Sequence, residues 1–316
     1  MPTQKQSGKA FEYALINEAN NILTNRGFVV NVIIDATYTD SIASFNAFAV
    51  RPRLRYSQAA RAALNHIITL EPRLVNPTNA ADVLTLQLQP DNAGGAGDVR
   101  DVLFIRSTQN WEIGISAKNN HKALKHSRLS NIKDFGTSWV GVPCSQTYFT
   151  AIAPIFAALS TLKATGAAWK NQANKHATYY QPILDAFRIE LSAINANNAN
   201  IPQALVSYLV GRFDFYKVMK RSGVVEILAF NLHGTLGRGI SGNRPVTPIP
   251  RLVLPTQLIQ FQMKPGSTDT LLMVFNQGWQ LSFRIHNAET LVIPSLKFDV
   301  NLDGNPAAMY SNYIAY

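Results

Sequence analysis

The pattern of apolar and polar residues predicts that the chain begins with an amphipathic helix. Apolar residues recur at helical spacing from about residue 7 to residue 24, and a glycine ends the pattern. These residues are Phe11, Leu15, Ala19 and Ile22, with Gly27 as the stop. The segment from Gly27 to Ala36 is dense in β-branched residues and predicts a buried strand. A second amphipathic helix is expected from Ser57 to Leu70.

Two short apolar segments in quick succession predict a β-hairpin. The segment VLFIR follows Asp101, and residues 107–110 separate it from WEIGISAK, which begins at Trp111. In the second strand, the two-residue period assigns alternate side chains to opposite faces. The core face takes Ile113, Ile115 and Ala117, and the polar face takes Glu112, Gly114, Ser116 and Lys118. The polar face therefore carries a lysine beside a small hydroxyl at the end of the strand.

The pattern of apolar and polar residues changes after the predicted hairpin. The basic segment from His121 to about Ile132 predicts a helix, and the stretch from Tyr148 to Lys220 is expected to be mostly helical. Beyond Gly223, several prolines interrupt an irregular segment, and apolar segments then predict strands of an antiparallel sheet. These strands are LLMVF, WQLSFRI and LKFDVNL. We therefore place a domain boundary between residues 222 and 223.

Composition narrows the class of protein. Among the 316 residues, 47% are hydrophobic and only 15% are charged, which is typical of a folded globular protein and excludes a disordered chain. No apolar run reaches the roughly 18 residues of a spanning helix, and the N-terminus lacks the features of a secretory signal. We therefore expect a cytoplasmic protein that has no membrane partner. The single cysteine, Cys144, excludes an internal disulfide and a cysteine zinc cluster.

The net charge indicates the class of partner. The chain has 29 Lys and Arg residues against 19 Asp and Glu residues, which gives a formal net charge of +10. A basic excess of this size favours a polyanionic partner, and nucleic acid is the first candidate. Charge concerns association rather than mechanism, so the reaction has to be inferred from particular residues.

Asp101 and Lys118 form the candidate catalytic pair. They lie 17 residues apart, at the beginning of one predicted strand and the end of its neighbour. A carboxylate there can bind Mg²⁺, and a lysine can position or deprotonate a water molecule and offset charge on the phosphorus. Because Mg²⁺ usually keeps several waters, few further acids are needed, and Glu12 on the first helix is a candidate. On spacing alone, a surface ion pair and a glutamate on a solvated helix flank stay open as alternatives.

Two motifs connect these residues to a known superfamily. The segment GKAFEYAL, residues 8–15, resembles the Gly-x-x-Phe-Glu helix of the PD-(D/E)-x-K nucleases. Asp101 together with Ser116, Ala117 and Lys118 resembles the hairpin motif of the same superfamily. Within it, GDVRDVLFIR followed by WEIGISAKNNHKALKHSRLSNIKDFG resembles the HaeIII family of type II restriction endonucleases.

The resemblance implies a fold and an activity. The implied fold is α/β, with a PD-(D/E)-x-K core whose mixed sheet is flanked by helices, plus helical insertions and a β-rich C-terminal region. Residues 1–222 would form the nuclease core with its helical additions, and residues 223–316 a β-rich subdomain that contacts DNA. The implied activity is Mg²⁺-dependent cleavage of double-stranded DNA at GGCC. A palindromic target suggests a homodimer, because symmetric sites are met by symmetric protein copies, and a monomer that nicks twice stays open.

The chain departs from the superfamily motif at Ser116, which occupies the position of the (D/E)-x-K acid. Ser116 remains a candidate catalytic residue, but the second metal carboxylate has to come from elsewhere. We rank Glu12 first, Glu112 second and Asp98 third for this ligand. Glu112 ranks below Glu12 because six residues of strand separate it from Lys118 by about 20 Å, at roughly 3.3 Å per residue.

Basic residues after the hairpin and in a later loop are the candidate DNA contacts. On a helix, basic residues three positions apart can share one face and meet successive phosphates. The candidates are Asn119, His121, Lys122, Lys125, His126 and Arg128. Guanine is most often read by arginine or lysine, and Arg238 and Arg244 lie in a glycine-rich loop that can approach a groove. A second set of the same kind is Arg51, Arg53 and Arg55, and a solvated surface is the alternative for each set.

Two other functions fit the same residues. A structure-specific repair or junction-resolving nuclease would share Glu12, Asp101 and Lys118 but would not cut at a defined sequence. A non-enzymatic DNA-binding protein would explain the net charge, while the acids would have no catalytic role. Discrete fragments from a plasmid digest would exclude the first alternative, and Mg²⁺-dependent cleavage would exclude the second.

Overall fold

The computed structural model describes residues 3–91, 97–120, 122–239 and 247–316. The α-helices are α1 (Gln4–Asn25), α2 (Ala36–Asn46), α3 (Val50–Leu70), α4 (Gln146–Ala164), α5 (Gln181–Asn197) and α6 (Ile201–Val210). The strands are β1 (Val30–Val32), β2 (Leu84–Leu88), β3 (Val102–Arg106), β4 (Trp111–Asn119), β5 (Ala123–Leu129), β6 (Phe215–Lys220), β7 (Val224–Phe230), β8 (Leu258–Met263), β9 (Thr270–Phe275), β10 (Gln280–His286), β11 (Leu296–Gly304) and β12 (Ser311–Ala315). No helix in these described ranges is long and apolar enough to cross a membrane.

The chain divides into two compact units, each built from separate segments of sequence. The first unit comprises Met1–Lys122, Arg212–Leu252 and Ala308–Tyr316, and the second comprises Ala123–Gly211 and Val253–Ala307. The predicted boundary between residues 222 and 223 does not separate them. It falls in the turn between β6 and β7, which are hydrogen-bonded neighbours within the first unit. Strand pairing, rather than order along the chain, therefore defines the units.

The first unit is built on a seven-stranded mixed sheet with the order β1-β2-β3-β4-β6-β7-β12. The β1–β2 and β4–β6 pairs are parallel, and the other pairs are antiparallel. Apolar residues of α1, α3 and the strands form one buried cluster, to which Phe11, Ile67 and Ile113 belong. Full burial of each such side chain contributes about 1.5–3 kcal/mol, so the amphipathic helices are held against the sheet by their apolar faces. The predicted mixed α/β architecture is confirmed.

The predicted hairpin is formed by β3 and β4. The two strands are antiparallel, and Val102 pairs with Ile115 and Phe104 with Ile113. The isoleucines of β4 are completely buried, whereas Lys118 at the other face is only half-buried. The predicted core face is therefore confirmed, although Gly114 and Ser116 of the predicted polar face are also buried, and Lys118 lies at the end of the hairpin near the beginning of β3.

The strand expected between Gly27 and Ala36 is much shorter than predicted. Only Val30–Val32 forms a strand, β1, and this strand lies at the edge of the sheet. Val29 and Ile34 are 65% and 74% exposed, so the β-branched run is not buried. Asp35 ends the extended segment because its carboxylate accepts a hydrogen bond from the Tyr38 N–H (2.9 Å) and thereby caps α2.

The second unit contains a five-stranded antiparallel sheet with the order β5-β11-β10-β9-β8, together with α4, α5 and α6. The three strands predicted near the C-terminus are present as β9, β10 and β11. Aromatic rings fill the core of this unit. The ring of Phe187 on α5 lies 4.7 Å from that of Phe135 and 5.1 Å from that of Phe298. Such ring pairs contribute beyond their buried area.

The predicted basic helix from His121 to Ile132 is wrong, because residues 123–129 form β5. This segment has residues that favour helices, but it pairs along its length with β11, with Ser127 opposite Phe298 and Leu129 opposite Leu296. The long-range hydrogen bonds and the burial of alternate side chains override the local preference. The end of the predicted helical stretch is also a strand, since Phe215–Lys220 forms β6.

Glu71 at the end of α3 is a buried acid that makes stability depend on pH. One of its carboxylate oxygens accepts hydrogen bonds from the Tyr216 hydroxyl (2.6 Å) and the Gly237 N–H (2.7 Å). Burial raises the pKa of Glu71 from 4.5 to about 7. Between these values, the native state keeps a proton that the unfolded chain has lost, so the free energy of unfolding falls as pH rises.

We expect Glu71→Gln to reduce this loss of stability. The contribution of Glu71 between pH 4.5 and pH 7 is on the order of 3 kcal/mol, because each unit of pKa corresponds to about 1.4 kcal/mol. Urea unfolding at several pH values tests the prediction, with the exposed Glu289→Gln as the control. A Glu71→Gln protein with the parental pH dependence would show that burial does not perturb this carboxyl.

Candidate active site

Asp101 lies directly before β3 and is held by the end of β4. Its Oδ2 accepts hydrogen bonds from the Ala117 N–H (2.7 Å) and Lys118 Nζ (3.1 Å), with a longer contact to Ser116 Oγ (3.4 Å). The Asp101 N–H donates to the Ile115 carbonyl (2.8 Å), which fixes the backbone at the same place. Hairpin pairing thus brings together the acid, the lysine and the serine that the sequence motif contained. Among the described residues, these side-chain bonds all go to Oδ2 and leave Oδ1 available for a ligand.

Glu12 on α1 is buried close to this hairpin. Burial, and after it the negative charge of Asp101, raise the pKa of Glu12 to about 7, although Lys9 and Lys118 act in the opposite direction. Lys9 Nζ donates to Glu12 Oε2 (3.0 Å) and also forms an ion pair with Asp91 (2.6 Å). Glu12 is therefore not a solvated residue on a helix flank. It lies within electrostatic range of both members of the predicted catalytic pair.

The Asp101 and Glu12 carboxylates fit a divalent cation. After burial, the negative charge of Asp101 contributes to the raised pKa of Glu12, and a bound cation would relieve this repulsion. No group of three or more His, Cys, Asp or Glu side chains arranged for a metal occurs in the described part of the chain. Two carboxylates plus water molecules suit Mg²⁺, which keeps several waters, better than zinc, which prefers nitrogen and sulfur ligands.

The other two candidate acids belong to a separate cluster around Arg100. The Arg100 guanidinium donates to both oxygens of Asp98 (2.8 and 2.7 Å) and forms an ion pair with Glu112 (2.9 Å). Arg100 is buried, and it lies against Gly114, where any side chain would collide with it. Asp98 and Glu112 thus both pair with one arginine. The carboxylate of Asp98 is engaged by Arg100, whereas Glu12 is the ranked acid within electrostatic range of Asp101, and the choice of metal ligand stays a prediction.

Comparison with known proteins identifies the family. The model of the HaeIII restriction endonuclease family matches residues 8–306 of this chain. The chain is also 40% identical over 306 residues to the Type II restriction enzyme HaeIII of Haemophilus aegyptius, which covers 96% of this chain and 95% of the relative. The chain belongs to the HaeIII restriction endonuclease family. No solved structure matches it.

Membership of the HaeIII family confirms the resemblance inferred from the two motifs. The protein is a type II restriction endonuclease, a site-specific deoxyribonuclease that acts on DNA. The family match spans the helix that carries Glu12 and the hairpin that carries Asp101 and Lys118. A non-enzymatic DNA-binding protein is no longer an alternative.

The basic residues of β5 are not arranged as predicted for this member of the HaeIII family. Lys125 Nζ donates to the Tyr208 carbonyl (2.9 Å) and lies 3.6 Å from the Tyr208 ring centroid, and burial lowers its pKa to about 8. His126 forms a hydrogen bond with Asp299 (2.6 Å), and Arg128 donates to Ser295 Oγ (3.2 Å). Because the segment is a strand, Lys122, Lys125 and Arg128 do not share a helical face. The structural basis of that prediction is therefore wrong.

The remaining predicted DNA contacts lie in the first unit or outside the described residues. Asn119 Nδ2 donates to the Tyr56 hydroxyl (3.2 Å), and exposed Arg238 donates to the Gly234 carbonyl (2.5 Å). His121 and Arg244 lie outside the described residues. The second set lies in the first turns of α3, with Arg51 and Arg55 exposed and Arg53 half-buried.

Two lysines near the site were not identified from the sequence. Lys9 lies three residues before Glu12 in the motif GKAFE, so its ion pair could have been expected from helical spacing. Lys217 on β6 is buried and lies opposite Ser116 of β4, and its charge is influenced by Lys118 and Asp101. No local signal marks Lys217, because strand pairing across about 100 residues of sequence places it there.

Proposed function

We propose that this restriction endonuclease hydrolyses double-stranded DNA at GGCC with Mg²⁺ as cofactor and with Asp101, Lys118 and Glu12 as its active-site residues. The observation that carries the proposal is the contact of Lys118 with Asp101 beside the buried Glu12. One carboxylate pair and one lysine, all on rigid elements, are what metal-dependent phosphodiester hydrolysis requires. The GGCC target is taken from the resemblance to the HaeIII family.

In this mechanism, each residue has a distinct task. Asp101 and Glu12 would hold the metal ion, and Ser116 and the Ala117 N–H orient the Asp101 carboxylate from β4. When bound, Mg²⁺ supplies positive charge that stabilises negative charge developing on the phosphate. Lys118 orients the attacking water molecule and adds a second positive charge at the phosphate. Lys9 holds Glu12 through its ion pair and so acts as a positioning residue.

DNA would be gripped and read by residues outside this centre. The exposed Lys122, directly before β5, is the strongest remaining candidate for a phosphate contact, with Asn119 near it in sequence. Arg238 and Arg244 stay the candidates that read guanine, because their loop is rich in glycine. A homodimer on the palindromic site and a cytoplasmic location also stay predictions.

Digestion of a sequenced plasmid in Mg²⁺, followed by mapping of the ends, tests the proposal. We expect discrete fragments whose ends all lie within GGCC and carry 5′-phosphates, and no cleavage when EDTA replaces Mg²⁺. The Lys118→Ala protein, prepared in the same way, controls for contaminating nucleases. Fragments ending at another sequence would contradict the target, and cleavage in EDTA would contradict the metal requirement.

A further inference from the structure

Lys217 is a buried lysine on the face of the sheet that carries the catalytic residues. It lies on β6, directly opposite Ser116 of the parallel strand β4. Side chains of directly opposed residues on neighbouring strands point to the same face, so Lys217 shares the face of Ser116 and Lys118. Only 2% of Lys217 is exposed.

The Lys217 amine holds the chain that leaves β4. Its Nζ donates to the main-chain carbonyl of Lys122, four residues after Lys118. The chain turns between these points, because Asn120 has a positive φ of 55° and its N–H donates to the Lys220 carbonyl (2.9 Å). Asparagine tolerates this left-handed conformation better than most residues. The end of β4 is therefore held against β6 by hydrogen bonds from both strands.

The surroundings of Lys217 make its amine costly for stability. Burial, and after it the positive charge of Lys118, hold the pKa of Lys217 well below its ordinary value. The Lys122 charge acts in the same direction, while Glu226 and Asp101 favour the charged form. Burial of an ionisable amine carries a desolvation cost, which the lowered pKa of Lys217 reflects. Ionisable groups that carry such a cost are found more often at functional sites than elsewhere.

Arg106 of β3 shows the contrasting case of a buried cation with a structural role. Only 1% of it is exposed, and its guanidinium donates to the carbonyls of Arg73 (2.6 Å), Asp82 (2.6 Å) and Leu74 (2.9 Å). It also forms an ion pair with the Asp82 carboxylate (3.4 Å). Removal of this side chain would leave several buried acceptors without a donor, which is strongly destabilising.

We propose that Lys217 is a positioning residue of the active site, which holds the backbone at Lys122 against β6 and thereby fixes the strand end from which Lys118 reaches Asp101. This inference rests on the proposed function, because it assigns a task to a neighbour of the proposed site. Lys217 acts through Lys118 and does not contact DNA. Misplacement of a catalytic group by about 1 Å can reduce a rate by about 100-fold, so a lost tether has a measurable effect.

A double-mutant cycle with Lys217→Met and Lys118→Ala tests this role in the full-length protein. Single-turnover cleavage of a duplex containing GGCC, the Kd for the same duplex in Ca²⁺, and the Tm are measured for each variant. We expect Lys217→Met to lower the Tm less than Arg106→Met does, to lose much less in DNA binding than in cleavage, and to cut about 10- to 100-fold more slowly. In the Lys118→Ala background, the same substitution should have little further effect, because the two residues act as one unit. Arg106→Met, as the structural control, should lower the Tm.

Two results would overturn the role of Lys217. One is parental cleavage by the Lys217→Met protein. The other is an equal loss of rate in both backgrounds, which would indicate a general packing role. If Lys217→Met does not fold, the cycle is run with Lys217→Gln. A loss of rate that is absent from the Lys118→Ala background supports the role, and an equal loss in both backgrounds overturns it. Parental cleavage by Lys118→Ala itself would instead refute the proposed site, so the two failures are distinguishable.

Discussion

Replacement of Lys118 by alanine is expected to reduce the rate of DNA cleavage by about 10²- to 10³-fold, the range for loss of one group that stabilises a transition state. The Lys118 ammonium lies 3.1 Å from Asp101 Oδ2, where it can act on both the water molecule and the phosphate. The fold should persist, because the Lys118 side chain lies at the end of β4 and is still 23% exposed. DNA binding should also persist, since one lysine is a small part of a basic surface.

Single-turnover cleavage and gel shifts in Ca²⁺ on one duplex separate chemistry from binding in this variant. Lys264→Ala is a matched control. Lys264 also forms an ion pair with an aspartate, Asp303 (2.6 Å), but both residues belong to the second unit. Parental cleavage by the Lys118→Ala protein would remove this lysine from the active site. Loss of binding in step with cleavage would assign it to DNA contact instead.

Replacement of Glu12 by glutamine is expected to reduce cleavage by about 100-fold or more and to weaken the dependence on Mg²⁺. The substitution keeps the shape of the side chain but removes one of the two carboxylates proposed to hold the metal ion. Without metal, the variant should be at least as stable as the parent at pH 8, because its buried side chain no longer carries a charge beside Asp101. The increase of Tm with Mg²⁺ that ligand binding produces should be smaller in the variant.

Glu112→Gln is the control for this prediction. Glu112 is a glutamate of the hairpin rather than of α1, and it pairs with Arg100, so its replacement should leave cleavage and the response to Mg²⁺ close to those of the parent. Mg²⁺ titrations of cleavage rate and of Tm compare the two variants directly. The reverse ranking would show that Glu112, rather than Glu12, completes the metal site.

The hairpin could be predicted from sequence because its signal is local. Apolar residues alternate in β4, a short polar segment connects it to β3, and both strands rest on a buried face, so register and facing follow from a period of two. The same alternation placed Ser116 and Lys118 on one face, beside Asp101 at the adjacent strand end. The contact between Asp101 and Lys118 was therefore predictable, and the motif added the family.

The segment after the hairpin shows where local signals fail. Ala123, Leu124 and the basic residues of β5 favour a helix by intrinsic preference, which amounts to less than about 1 kcal/mol per residue. Pairing with β11, more than 160 residues later in the chain, satisfies the backbone hydrogen bonds and buries Leu129. No window of local sequence contains that partner. The shared helical face expected for Lys122, Lys125 and Arg128 is therefore wrong, while their contacts with phosphates stay predictions.

The sequence by itself determined the hairpin, the amphipathic helices and the family, because these depend on short-range periodicity and on motifs with fixed spacing. Only the tertiary structure distinguishes the surroundings of the candidate acids. Glu12 comes next to Asp101 because the apolar face of α1 packs on the sheet, whereas Arg100 draws Asp98 and Glu112 into a separate cluster. It also placed Lys217 opposite Ser116, through the pairing of β4 with β6. Electrostatic interactions depend on distance and burial, and for residues far apart in the chain both are set by packing rather than by sequence spacing.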